Sequence, residues 1–168
     1  LSPEDTLTVY LKTLKKMDTE QMGNYLGLES LMNSADSDKN SIAAALVEQV
    51  HKNFDFKFTS CETESYTAVV ETAITTFDSN AILSAYQEEL DTYLSSPDAV
   101  IDGSTKRYTT SLNLLLNNIE KNTATTTSSA VFHLMNDGVS WKLQDSNTAI
   151  GSAIFGTLSS TPVSQENE

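Results

Sequence analysis

The chain of 168 residues holds one cysteine, one tryptophan, three prolines and six glycines. The lone thiol, Cys61, rules out an intrachain disulfide and any paired-cysteine metal or redox motif. So little glycine and proline excludes collagen-like and low-complexity chains. No apolar run approaches the roughly 20 residues that cross a bilayer as a helix. Basic side chains are scarce as well: ten Lys and Arg stand against 23 Asp and Glu, for a formal charge of −13. A surface of that sign repels phosphate backbones instead of displacing their counterions, so nucleic acid is excluded as a partner. The basic residues, among them Lys12, Lys15, Lys16, Lys106 and Arg107, are too scattered to hold anionic headgroups. Glycine-rich phosphate loops, zinc helices and nucleophile elbows are missing too. The stretch Asp36-Ser37-Asp38-Lys39-Asn40 alternates oxygens as a calcium loop does, but the required glycine and distal glutamate are not there. No metal and no cofactor is expected.

What remains is a chain with 39% hydrophobic residues, long enough to bury about 70% of its unfolded surface in one core. One domain over residues 1–160 is expected, followed by a frayed tail over 161–168. Ser2-Pro3-Glu4-Asp5 starts a helix, with a capping hydroxyl, a proline at the first turn and two carboxylates at the positive end of the dipole. Leu7, Leu11, Leu14 and Met17 follow at helical spacing. Asp18 restarts a short helical turn ending near Gly23 or Gly27, and Asn33 to Asn40 reads as a polar break. Ile42, Leu46, Val50 and Phe54 then recur every fourth residue along a second long helix that carries His51, which reads as exposed.

At Phe54, Phe56 and Phe58 the period changes to two, the mark of a half-buried strand. A polar turn at Glu62 to Ser65 and a second strand from Tyr66 to Phe77 complete a hairpin. Asp78 caps a third helix that Pro97 stops, and Asp102-Gly103-Ser104 opens a fourth, with Tyr108, Leu112, Leu115, Leu116 and Ile119 on one face. A threonine-rich connector, Thr123 to Ser128, leads to a last hairpin, Ala130 to Met135 and Val139 to Leu143, turned at Asn136-Asp137-Gly138. Asn147 to Leu158 reads as a short helix over the sheet. The expected fold is α+β: a curved antiparallel sheet of two hairpins packed against several helices.

This order, with its terminal strand pair and tryptophan, resembles the cystatin-like cone of the nuclear-transport-factor-2-like superfamily. Val131-Phe132-His133-Leu134-Met135, the Asn136-Asp137-Gly138 turn, Val139-Ser140-Trp141-Lys142-Leu143 and the Ala149-Ile150-Gly151 tail resemble the ending of bacterial lipoproteins of unknown function in that superfamily. Pro3-Glu4-Asp5-Thr6-Leu7, with Tyr10 and Leu11, is similar to their opening helix. The resemblance implies a buried Trp141 and an extracytoplasmic domain, held at the membrane only by a lipidated cysteine upstream of Leu1, a residue that Cys61 cannot be. The start at Leu1, without methionine, suggests an upstream segment as well.

Enzymes on such cones, ketosteroid isomerases and dehydratases, use a desolvated Asp or His inside the cavity as base. By that likeness His133, on a strand between Phe132 and Leu134, and Glu71, which interrupts Val69, Val70, Ala73 and Ile74, are the weak catalytic candidates for an isomerase or lyase. Strand alternation leaves open which face His133 takes. The aromatic residues fit a non-catalytic domain better: they fill the core or line an apolar pocket between sheet and first helix, with Trp141, Phe56, Phe132 and Tyr66 its lining. The expected partner is a small apolar ligand or another protein, with a homodimer through the open sheet face as a further arrangement.

Overall fold

In the computed structural model, residues 1–144 and 153–154 are described. The fold is the expected α+β arrangement, a curved, unclosed antiparallel sheet covered by helices. Four helices come first: α1 (Pro3–Lys15), α2 (Thr19–Tyr25), α3 (Glu29–Met32) and α4 (Ser37–Asn53). Strands β1 (Asp55–Glu64) and β2 (Thr67–Phe77) form the first hairpin, and a pair of helices, α5 (Ser79–Leu94) and α6 (Pro97–Glu120), separates it from β3 (Thr125–Asn136) and β4 (Trp141–Leu143). The strands lie in chain order, β1-β2-β3-β4, so the long helical insertion leaves β2 and β3 as neighbours.

Helix starts follow the sequence closely. The Ser2 hydroxyl accepts from Asp5 N at 3.0 Å while Ser2 N donates to Asp5 Oδ2 at 3.2 Å, a reciprocal cap that satisfies two otherwise orphaned donors. Asp18 and Gln21 repeat that device at α2. Leu7, Leu11 and Leu14 are fully buried, because their spacing puts them on the side of α1 that meets the sheet at β1, β2 and β4.

The polar break is shorter than the sequence suggests. Asp36 Oδ1 accepts from Asp38 N at 2.9 Å, so α4 begins at Ser37. Asn40 donates from Nδ2 to the carbonyls of Leu31, Met32 and Ser34 at 2.8 to 3.0 Å and fastens α3 to α4. These polar residues are caps and clips, not loop. Likewise β1 runs through the expected turn at Glu62 to Ser65, and the chain reverses only at Ser65 and Tyr66, with Ser65 at φ 52°. The threonine-rich connector is also strand: β3 pairs with β2 back to Thr125 opposite Phe77, and the Thr75 and Thr127 hydroxyls meet at 2.8 Å. β-Branched threonines hold an extended backbone whether or not they are buried.

Proline 97 both ends the α5 corner and starts α6, which bends at Gly103 (φ 79°, ψ 170°), where the sequence places a helix start. The final hairpin turns as expected, with Gly138 at φ 96°. Strand β4 is shorter than expected, because Asp137 Oδ1 takes the amides of Val139 and Ser140, each at 2.9 Å, into the turn. Of the expected terminal helix, Ala153 and Ile154 are helical and Ile154 is fully buried in the core; the rest of 145–160 and the tail 161–168 lie outside the described residues.

Candidate functional site

The inner face of the sheet is set by strand alternation. Phe56 and Phe58 on β1, Val70, Thr72 and Ile74 on β2, and Phe132 and Leu134 on β3 all turn toward the helices. A bulge at Thr59 shifts the register so that Cys61, opposite Val70, returns to this face. Burial pushes its thiol pKa up, which makes it a poor nucleophile.

Three of the four expected lining residues share the face but do not converge. Phe132 is fully buried opposite Val70, in the middle of the sheet. Phe56 lies two strands away opposite Ile74, in tilted ring contact with Phe54 and Phe58 at ring separations of 6.4 and 5.6 Å. Trp141 is half-buried near the opposite end, across from Asn136, so the expectation of a buried tryptophan is corrected: β4 is an edge strand that α1 covers from one side. Tyr66 is 65% exposed in the β1–β2 turn, where its carbonyl accepts from Asn136 N. The space between α1 and the sheet holds Leu7, Leu11, Leu14, Phe132 and Leu134, each no more than 1% exposed. Among the described residues, open clefts of about 380 and 530 Å³ lie on the helical side, along α4 and α6 and between α5 and α6.

Histidine 133 and Glu71 both take the outer face and are exposed. His133 sits opposite Val69 and Glu71 opposite Val131, which makes them diagonal neighbours about 7–8 Å apart along the backbone. Glu71 accepts from the Ser60 hydroxyl at 3.1 Å. Neither group is desolvated, so the condition that would turn either into a pocket base is missing. His51 departs from expectation in the other direction: it is half-buried, with Nε2 2.6 Å from the Met17 carbonyl oxygen, and ties α4 to the end of α1.

The perturbed acids have local structural causes. Backbone amides of Ser140 and Val139, then the Lys142 ammonium at 3.2 Å, hold the Asp137 carboxyl down at about 2. At the α5–α6 corner the Tyr93 hydroxyl donates to Asp102 Oδ2 at 2.6 Å, and Lys106 Nζ lies 3.4 Å from the other oxygen. That phenol bond lowers the Asp102 pKa and raises that of Tyr93. The cluster braces the bend at Gly103 beside the larger cleft, which Tyr93, Glu88, Glu89 and Leu114 help to line. Leu94 (49% exposed) and Val100 and Ile101 (both 80%) form an apolar tip at this corner. The sequence marks this corner as a helix boundary and not as a site; the i,i+4 spacing of Asp102 and Lys106 is the one legible sign of its ion pair. Among the described residues no three His, Cys, Asp or Glu side chains come close enough to hold a metal, and no helix is long and apolar enough to cross a membrane.

No family model matches the chain, and no curated protein matches it. Among solved structures, the chain is similar to that of a "putative lipoprotein (ycdA)" from Bacillus subtilis subsp. subtilis str. 168, with a TM-score of 0.52 at 15% identity. The match covers 92% of this chain and 47% of that one, so this chain spans about half the length of its structural neighbour. At that identity, what the two chains share is the fold.

Proposed function

We propose that this chain is a non-catalytic domain of an extracytoplasmic bacterial lipoprotein, anchored through a lipidated cysteine upstream of Leu1, and that it acts by binding another protein. The observation that carries the non-catalytic reading is the outward, solvated placement of His133 and Glu71. Protein binding is favoured over an enclosed ligand by the packing of Leu7, Leu11, Leu14 and Phe132 where the pocket was expected. The apolar tip of Leu94, Val100 and Ile101 offers a contact surface on an otherwise acidic protein. The lipoprotein reading is supported by the fold shared with the Bacillus subtilis protein, and kinship with the nuclear-transport-factor-2-like superfamily by the helix-first order and the curved antiparallel sheet.

Two measurements test this. Metabolic labelling of the full-length precursor in its host with an alkyne-tagged fatty acid gives a labelled, membrane-associated protein; an unlabelled protein in the cytosolic fraction overturns the anchor. Titration with the apolar dye 1-anilinonaphthalene-8-sulfonate, read on the fluorescence of the single tryptophan, Trp141, gives no saturable site. Stoichiometric binding abolished by Phe132→Ala restores the small-ligand reading.

A further inference from the structure

Ahead of the bend at Gly103, residues 97–102 are fastened on one side and bare on the other. Ser96 Oγ donates to the Tyr93 carbonyl at 2.5 Å, the Tyr93 hydroxyl to Asp102 Oδ2 at 2.6 Å, and Arg107 Nη1 to the Ala99 carbonyl at 2.6 Å. Ala99 is buried at 3% exposure, yet Val100 and Ile101, the next two residues, are each 80% exposed. Leu94, at the end of α5, adds a third aliphatic side chain to the same tip. Bracing of this kind matters for association, because a segment already held in one conformation has little order left to gain on binding. Branched Val and Ile side chains have few rotamers to lose as well.

Charge decides what such a tip can meet. Between Lys57 and Lys106 the sequence has no Lys or Arg. Asp91 and Asp98, three residues before Leu94 and Ile101 and so beside them on their helices, are exposed. Among the described residues neither makes an ion pair, whereas Lys106 is taken by Asp102 and Lys121 by Glu89. The aliphatic tip is therefore rimmed by two carboxylates with no cation answering them. Anionic headgroups would meet that rim with repulsion, and a second copy would bring the same carboxylates to it.

We propose, resting on the reading that this domain acts by binding another protein, that the tip docks into an apolar pocket edged by Lys or Arg on that protein. Val100 and Ile101 are the anchors, because they are the most exposed of the three aliphatic side chains and stand on the braced segment. Asp91 and Asp98 are the rim contacts that select a basic surround and reject an acidic one. The bonds of Tyr93, Asp102 and Arg107 do not reach the partner; they hold the anchors in place.

Photo-cross-linking of the full-length precursor in its host tests the surface, with p-benzoylphenylalanine in place of Ile101 and, in separate strains, in place of Tyr66 or Val139, which are exposed elsewhere. The probe at Ile101 forms a protein adduct, and mass spectrometry maps it to an apolar segment flanked by Lys or Arg. Asp91→Lys combined with Asp98→Lys sets like charges against that pocket and lowers the adduct yield about tenfold or more. Val100→Ser lowers it as well. Urea midpoints of these variants stay near wild type, because the replaced side chains are exposed. An adduct at Ile101 to lipid, to a second copy or to an acidic segment overturns the proposal, as does a yield unchanged by the double charge reversal. Protein adducts from Tyr66 or Val139 alone overturn the tip and leave protein binding standing; no protein adduct from any of the three positions overturns both.

Discussion

Replacing Phe132 with alanine tests whether the interior under α1 is packed or hollow. Phe132 is fully buried in the middle of β3, opposite Val70 and between the inward-facing Ala130 and Leu134. Removing its ring forfeits about 2–3 kcal/mol of transfer free energy. If neighbours relax only partly and leave on the order of 50 Å³ empty, the cavity adds about 1.2 kcal/mol at roughly 24 cal/mol per Å³. The expected loss is therefore about 3–4 kcal/mol. With a urea slope of about 2 kcal/mol per molar, the midpoint falls by about 1.5–2 M. Trp141 fluorescence and far-ultraviolet circular dichroism, followed together, measure this. Tyr66→Ala, in the exposed turn, serves as the control and moves stability by less than about 0.5 kcal/mol. Were Phe132 the wall of a solvated hollow, its removal would create no new void against packed neighbours and the cavity contribution would vanish. A loss below about 2 kcal/mol with an unchanged slope would refute the packed interior.

Thr72 is fully buried on the inner face and its hydroxyl has no hydrogen-bond partner, so Thr72→Val, nearly isosteric, raises stability by about 1–2 kcal/mol in the same urea assay. Gly103 occupies a backbone region that side chains avoid, and Gly103→Ala costs about 1–3 kcal/mol although open space surrounds it; thermal melts check this. Asp137 has its folded pKa lowered from 3.8 to about 2, so its contribution is present above about pH 4 and fades as pH falls through 2. The melting-temperature gap between wild type and Asp137→Asn, with the mutant lower, therefore narrows as the pH is lowered across that window. Tyr93→Phe removes the phenol bond to Asp102, and an NMR titration finds the Asp102 pKa raised toward its ordinary value.

Element type was legible wherever a cap or an apolar period carried it, as at Ser2, Asp18, Asp78 and the Leu112 to Ile119 face. It was illegible where polar residues did the work of structure. Asp36 and Asn40 looked like loop because their side chains bind backbone, and Thr125 to Ser128, within the expected connector Thr123 to Ser128, looked like connector because an exposed strand has no buried face to impose alternation. The site suffered from a different ambiguity. Strand β3 carries apolar residues on both faces, Phe132 and Leu134 inward and Val131 and Met135 outward, so the face of His133 could not be decided from period alone. The separation of Phe56 from Phe132 depends on the pairing of β2 with β3 across an intervening helix pair, a register that no local pattern encodes.

That helix pair also sets the span of chain that the central strand pairing must close. The β1–β2 turn pairs Glu64 with Thr67 across two residues, whereas pairing Phe77 with Thr125 closes a loop that holds the whole of α5 and α6. Loop-closure entropy falls heavily on that central seam. The α5–α6 hairpin thus acts as a clasp: with its two helices packed together, its ends hold the end of β2 and the start of β3 side by side.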